Sequence, residues 1–426
     1  MKSKQLYDDY MITSMVEKFE PIEVERALGC TLTGTDGRNY LDCFSGIAVT
    51  NAGHGHPRIV AAAKAQMEKL VHGGTYLYYT PPAGELARRL AEVTPGRLQK
   101  SFFGTSGAEA VEGAMRLAKQ FTKRKELVCL TLSFHGRSVG TLSVTGNRDR
   151  KKGTGPYLSG VAFSPAPYCY RCPFKLTHPS CGCACAEFVD HVLKYQTAGD
   201  VAAFVAEPVM GEGGILVPPP EYLRMATERI RRDGALYIAD EVQCGYGRTG
   251  RLFASEHFGV EPDILCLAKG IACGFPLSAF IARPDVADAF TPGDHLSTFG
   301  GNPVSCAAAI ANLDVMRDED LPGAAAKRGV QFMARLRAIQ EKYPMVGDVR
   351  GLGLMIGVEL VKDAAKTAAV TEAKRVRELC REAGVLVGVG GVLANVIRIQ
   401  PPLVITPAEV DHACDVIENA IRQVAR

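Results

Sequence analysis

The chain has 426 residues, 47% hydrophobic and 22% charged, with 49 Lys and Arg against 46 Asp and Glu. A net charge of +3 excludes the electrostatic footprint of a nucleic-acid or acidic-membrane binder, and the composition is that of a globular protein with ample core. No window reaches the roughly 18 apolar residues of a membrane span, and the opening stretch MKSKQLYDDYMITSMVEKFE has no signal-type apolar run, so a cytoplasmic protein without nucleic-acid or membrane partners is expected.

In chain order, LTGTDGRNYLDCF reads as a hairpin, and residues 1–54 are expected to join a smaller domain built by the C-terminal part of the chain. GHGHP holds His54 and His56; with Pro57 at a helix's first turn, it reads as a loop before a helix and not as a metal pair. From residue 84 helical and strand patterns alternate. ELARRLAEV is helical, and in GAEAVEGAMRLAKQFTKR the residues Val111, Ala114, Met115, Ala118 and Phe121 share one face. Apolar runs at 127–132, 202–206, 235–239, 264–268 and 277–282 read as buried strands, with helix-length segments such as PEYLRMATERIRRDG between several of them. The alternation predicts an α/β fold with a mainly parallel, helix-covered sheet over residues 55–310. Beyond residue 310, three amphipathic helical patterns mix with the short strands LMIGVEL and VIRIQ, predicting a smaller α+β domain over 311–426.

In a sheet of this kind ligands gather outside the carboxyl ends of the strands. Glu207, the pair Asp240 and Glu241, Lys269 and the segment FHGR (Phe134 to Arg137) all follow apolar strand runs. A lysine at the end of a buried strand is costly to hide as an ammonium ion, and one with a depressed pKa can form an imine with an aldehyde. In FFGTSGAEA, Gly104 and Gly107 bracket Thr105 and Ser106 at the start of a strong helix. Free N–H groups and hydroxyls there make an anion site suited to phosphate, and Ser106 with Glu109 has capping-box spacing. A phosphate cradle, an aromatic platform, a buried aspartate and a reactive lysine are what pyridoxal phosphate requires.

The run ALYIADEVQCGYGRTG followed by DILCLAKGIACGFPLSA resembles the class III, ω-amino acid type, pyridoxal-phosphate aminotransferases of fold type I, and the likeness extends from GIAVTNAGHGHP to IRIQPPL. The resemblance implies pyridoxal 5'-phosphate as cofactor, with Lys269 as the Schiff-base lysine that moves a proton. It implies Asp240 against the pyridinium nitrogen, Val242 and Phe134 on the two ring faces, Gln243 at the phenolic oxygen, and Ser106 and Gly107 at the phosphate. Thr298 would reach the phosphate of a neighbouring subunit, so a homodimer or dimer of dimers is expected, with small amino and 2-oxo acids as its only other partners. Arg137 and Arg398 would hold the carboxylates of a dicarboxylate such as 2-oxoglutarate, with Glu207 pairing Arg398 when the donor has no α-carboxylate. Ile47 matches the isoleucine of the 4-aminobutyrate enzymes, which makes 4-aminobutyrate the expected donor in a ping-pong transamination. An ornithine, acetylornithine or alanine donor, a racemase on the same scaffold and a decarboxylating transaminase are the alternatives. Met210 departs from the glutamine usual in close 4-aminobutyrate enzymes.

An added segment, YCYRCPFKLTHPSCGCACA at 168–186, carries Cys169, Cys172, Cys181, Cys183 and Cys185 with His178 among them. The C-x-x-C start has metal-site spacing, whereas the C-x-C-x-C end does not fit paired knuckles. No metal is assigned, and these cysteines are the ligand candidates if one binds. The nine remaining cysteines are scattered, in apolar surroundings such as those of Cys129, Cys266 and Cys306, and read as small buried hydrophobes.

Overall fold

The computed structural model describes residues 2–12 and 19–425; the rest of the N-terminal segment read above lies outside the described residues. Its centre is a seven-stranded sheet in the order Lys100–Gly104, Ser278–Ala282, Ile264–Leu267, Leu236–Asp240, Val201–Ala206, Glu126–Leu130, Val161–Ser164. Ser278–Ala282 runs antiparallel to both neighbours, and the other strands are mutually parallel. The mainly parallel sheet read from the alternation is present.

Strand residues split by face, except at the irregular pairing beside Ala202 and Ala203, which share one. Cys129, Val205, Ile238 and Cys266 pack against Ala110, Val111, Ala114, Met115, Leu117 and Ala118 of the helix Gly107–Thr122. Leu130, Phe204, Ala239 and Leu267 join the larger cluster on the other face. Each large side chain buried this way contributes roughly 1.5–3 kcal/mol. Burial on both faces is why these strands read as continuous apolar runs. Lys100–Gly104 and Val161–Ser164 escaped the sequence reading: one has an exposed-to-intermediate edge pattern and the other alternates.

Strands Val346–Leu352, Met355–Leu360, Val396–Ile399 and Gly388–Gly390 form an antiparallel sheet, and the helix Leu321–Lys342 packs against it. The hairpin expected at LTGTDGRNYLDCF is Thr31–Gly34 paired with Asn39–Asp42, and Val385–Leu386 adds to it in parallel. Pro57 opens the helix Pro57–Lys69, while His54 bonds Asp42 at 2.8 Å and His56 bonds Glu319 at 3.0 Å. Among the described residues no helix is long and apolar enough to cross a membrane.

Candidate active site

The parallel strands end on a cavity of about 410 Å³ whose wall includes Ser106, Gly107, Phe134, His135, Arg137, Glu207, Asp240, Val242, Gln243 and Lys269. Residues spread over more than 160 positions meet here because each follows the carboxyl end of a strand of one sheet.

Lys269 follows Ile264–Leu267 by two residues. Ala268 is extended, and Lys269 turns into the left-handed region at φ +42° to begin the short turn Lys269–Ile271. That conformation is uncommon for a residue with a Cβ and costs energy unless its surroundings hold it. Asn312 does so by donating to the carbonyls of Gly270 at 2.8 Å and Ile271 at 3.0 Å. Burial lowers the Lys269 amine below the usual lysine range, against the opposing charges of Glu212, Asp240 and Glu207. A neutral amine is the form that attacks a carbonyl.

Asp240 is 4% exposed. Its Oδ1 accepts from the Val242 N–H at 3.1 Å, and its Oδ2 lies 2.7 Å from His135 Nδ1. Burial alone would lower His135; the bond to Asp240 and the charges of Asp240 and Glu207 raise it instead. Its Nε2 is buried without a partner. His135 therefore supports Asp240 from behind, a role the sequence reading missed although it lies inside FHGR. A His between two motif residues carries no signal of which carboxylate it will meet.

At the helix Gly107–Thr122, Ser106 is the N-cap and its hydroxyl accepts from the Glu109 N–H at 3.2 Å. The reciprocal half of the expected capping box is shifted by one residue: Glu109 takes the Thr105 N–H at 2.6 Å and the Thr105 hydroxyl at 2.9 Å. A Cβ on Gly107 would stand 2.8 Å from Val242 Cγ1, so glycine is what lets the helix start and Val242 approach. Gln243 Oε1 accepts from Gln400 Nε2 at 3.2 Å.

Two expectations need correction. Arg398 is not paired with Glu207. Its Nη1 is hydrogen-bonded to Glu212, whose other oxygen takes Arg150 at 3.2 Å. Glu207 is engaged by backbone, accepting from Phe134 N at 3.0 Å and Gly211 N at 2.8 Å. The motif EPVMGEGG offers two carboxylates, and the loop after the strand presents the second one. Burial raises the Glu212 carboxyl, but Arg398, with Lys269 and Arg150, more than offsets this and brings it down to about 2. Second, Glu241 does not face the cavity: it caps the turn Ala254–Phe258 through the Ser255 N–H at 2.8 Å and the Ser255 hydroxyl at 2.6 Å. Ile47 is exposed and, like Arg398, is not part of the cavity wall, which Val49 lines. Ile47 sits in a run of positive φ from Ser45 to Ala48 (+46°, +63°, +68°, +59°). Asp42 anchors that run through the N–H groups of Phe44 and Ser45, at 2.9 and 2.8 Å.

Arg137 is exposed at the cavity, its guanidinium 5.7 Å from the Phe134 ring centroid, with no carboxylate partner among the described residues. Thr298 is exposed and does not line this chain's own cavity. In the cysteine segment all five thiols are free, ranging from exposed Cys169 to buried Cys183. Among the described residues no group of three or more His, Cys, Asp or Glu side chains is gathered to hold a metal.

A lysine with a lowered pKa, a buried carboxylate 2.7 Å from a histidine, an apolar slot between Phe134 and Val242 and a helix N-terminus opening into one cavity fit pyridoxal phosphate, and together they describe a fold-type-I enzyme of that cofactor. Residues 13–421 match the family model described as Aminotransferase class-III. The chain is 42% identical over 403 residues to an acetylornithine aminotransferase of Methanothermobacter thermautotrophicus, covering 94% of each chain. It is 40% identical over 409 residues to a leucine/methionine racemase of Thermococcus litoralis, covering 95% of this chain and 92% of that one. It is 35% identical over 398 residues to a probable 4-aminobutyrate aminotransferase of Bacillus subtilis, covering 92% and 91%. An amine transaminase from an uncultivated Pseudomonas species, solved in its PLP-bound form, superposes with a TM-score of 0.91 at 35% identity over 96% of this chain and 98% of that one. The chain belongs to the class-III aminotransferases, and pyridoxal phosphate is its cofactor.

Proposed function

We propose that this enzyme transfers the terminal amino group of an ω-amino acid, 4-aminobutyrate first among them, to 2-oxoglutarate by a ping-pong route. The observation that carries the reading is the unequal state of two arginines. Arg398 is neutralised by Glu212, and both act electrostatically on Lys269, while Arg137 lines the cavity with no carboxylate partner among the described residues. A donor whose one carboxylate is far from its amine needs Arg137 alone and leaves the Glu212–Arg398 pair closed. A dicarboxylate engages both guanidiniums and takes Arg398 from Glu212, each contact being charge-assisted.

Pyridoxal phosphate, when bound, supplies the electron sink for cleaving a C–H bond beside the amine. In this reading Lys269 Nζ would hold the cofactor and move one proton from the donor's amine-bearing carbon. Asp240, steadied by His135, would keep the ring nitrogen protonated. Phe134 and Val242 would flank the ring, Gln243 would take its phenolic oxygen, and Ser106 with Gly107 would receive the phosphate at a helix N-terminus. Thr298 would complete the phosphate site of a second copy. Support for pairing comes from the exposed Leu77, Tyr78, Tyr79, Leu296 and Phe299, on segments tied together by the Thr75 hydroxyl to the Gly300 carbonyl at 2.5 Å. Sedimentation at twice the 45.7 kDa chain mass is the expected result.

An acetylated ornithine is the second donor, favoured by the relative of that name; its reacting amine is also at the chain end. A donor panel with 2-oxoglutarate, scored by glutamate formed, tests the substrate. Turnover of 4-aminobutyrate is expected, and its failure beside turnover of acetylornithine would replace the donor while leaving the class intact. Chiral analysis of leucine or methionine incubated without any oxo acid tests for a racemase, the activity named for another relative.

A further inference from the structure

The cysteine-bearing segment contributes nothing to the cofactor cavity, yet two of its other side chains reach the machinery that sets Arg398. In the antiparallel sheet Arg350, Gly357 and Arg398 lie directly opposite one another on three adjacent strands. Directly opposed residues share a face, so the two arginines flank the bare backbone of Gly357. The loop Gly211–Ile215 crosses there: a Cβ on Gly357 would meet the Gly214 carbonyl oxygen at 3.1 Å and Ile215 Cβ at 3.1 Å. On one side of the crossing Arg398 holds Glu212. On the other, Arg350 donates from Nε to the carbonyls of Gly214 and Ile215, both at 3.0 Å, and from Nη2 to Gly214 at 2.7 Å.

Arg350 is aimed in turn by Glu359, which is fully buried two residues along the same face and accepts from Arg350 Nη1 at 2.8 Å. The remaining oxygen capacity of Glu359 is filled chiefly from the inserted segment, by Arg171 Nε at 2.5 Å and by the Tyr168 hydroxyl. The Tyr168 ring also lies under the Arg350 guanidinium at 5.0 Å. A buried carboxylate with several charged donors is a rigid joint when complete and a mobile one when a donor is removed.

We infer that Tyr168 and Arg171 are positioning residues for substrate discrimination: through Glu359 and Arg350 they fix the loop Gly211–Ile215 so that Glu212 stays on Arg398. The inference rests on the reading that Arg398 takes a substrate carboxylate. It gives the inserted segment a purpose independent of its thiols. Loosening the loop leaves Arg398 unpaired, which favours the dicarboxylate and penalises a donor without an α-carboxylate.

The test uses the holoenzyme with Arg171→Ala, Arg171→Lys and Tyr168→Phe, the last removing one oxygen only. Hydrogen exchange of the backbone amides of residues 211–215 should quicken about tenfold in Arg171→Ala, with Arg171→Lys restoring part of the protection. In separate half-reactions the KM ratio of 4-aminobutyrate to glutamate should rise about fivefold in Arg171→Ala and less in Tyr168→Phe, with kcat near that of the parent. Unchanged loop exchange, or quicker exchange with an unchanged ratio, overturns the inference. Arg398→Ala, run alongside, separates the two claims. If it too leaves the ratio unmoved, the two-arginine reading falls as well; if it shifts the ratio and Arg171→Ala does not, only the inference falls.

Discussion

Two regions of this molecule are dense in reactive side chains, and they are built in opposite ways. In the cavity the groups come from distant sequence positions and are brought together by strand ends; Lys269, Asp240 and Glu207 each stand at the end of a different strand. In the inserted segment five cysteines fall within 17 positions of one another, yet their exposure runs from open to buried and no three of them, among the described residues, gather as a metal site. The cysteines, near along the chain, line one small cavity with His178, whereas the groups of the larger cavity are gathered by shared placement on one sheet edge. The lesson is one of rigidity: a sheet buried on both faces fixes its strand ends, and short loops and caps then aim the side chains.

The sharpest way to break this contrast is at Lys269. Lys269→Ala should lower kcat by about 10³-fold or more, with loss of the cofactor's absorption band in the purified enzyme; a variant retaining ordinary turnover would remove the lysine from the chemistry. Asp240→Asn follows, with a loss on the order of 10²-fold in single-turnover rate, because the ring nitrogen loses its buried countercharge. Arg398→Ala should slow the glutamate half-reaction by about 10²-fold and the 4-aminobutyrate half far less; equal losses would argue against a paired and released arginine.

Glu207 gives a smaller, pH-dependent effect. Its carboxyl is raised to about 7 against an ordinary 4.5, with burial the chief cause, His135 opposing and Asp240 adding to it. The folded protein thus holds this proton more tightly than the unfolded chain. The contribution to stability is complete below about pH 4.5 and is lost as pH rises to about 7. Glu207→Gln should flatten the fall in Tm across that window, by the equivalent of about 3 kcal/mol. At the bottom of the scale, Cys169→Ser on the exposed rim should move stability by no more than about 0.5 kcal/mol, with activity indifferent to a chelator. A large response there would mean that the inserted segment is a centre after all.

The parallel strands were legible because burial on both faces writes them as unbroken apolar runs, and the residue that follows each run marks the active edge. Ser106, Phe134, Asp240, Val242, Gln243 and Lys269 could be singled out on that basis and by family likeness, and all line one cavity. What sequence could not assign was partnership. Glu207 and Glu212 are the same residue type five positions apart, and only the path of the loop over Gly357 decides which one meets Arg398. Glu241 looked equivalent to Asp240 but points away, since adjacent residues at a strand end face opposite sides. Ile47 stands exposed in a left-handed run of four residues, a conformation that carries no pattern in the sequence.

The positive φ of Lys269 has one more consequence. The conformation that delivers its amine to the cavity would suit glycine better than any side-chain-bearing residue. Of two inactive proteins, Lys269→Gly should therefore outlast Lys269→Ala on heating, by about 1 kcal/mol. The enzyme keeps a small permanent thermal handicap at the one position where its reactivity is lodged.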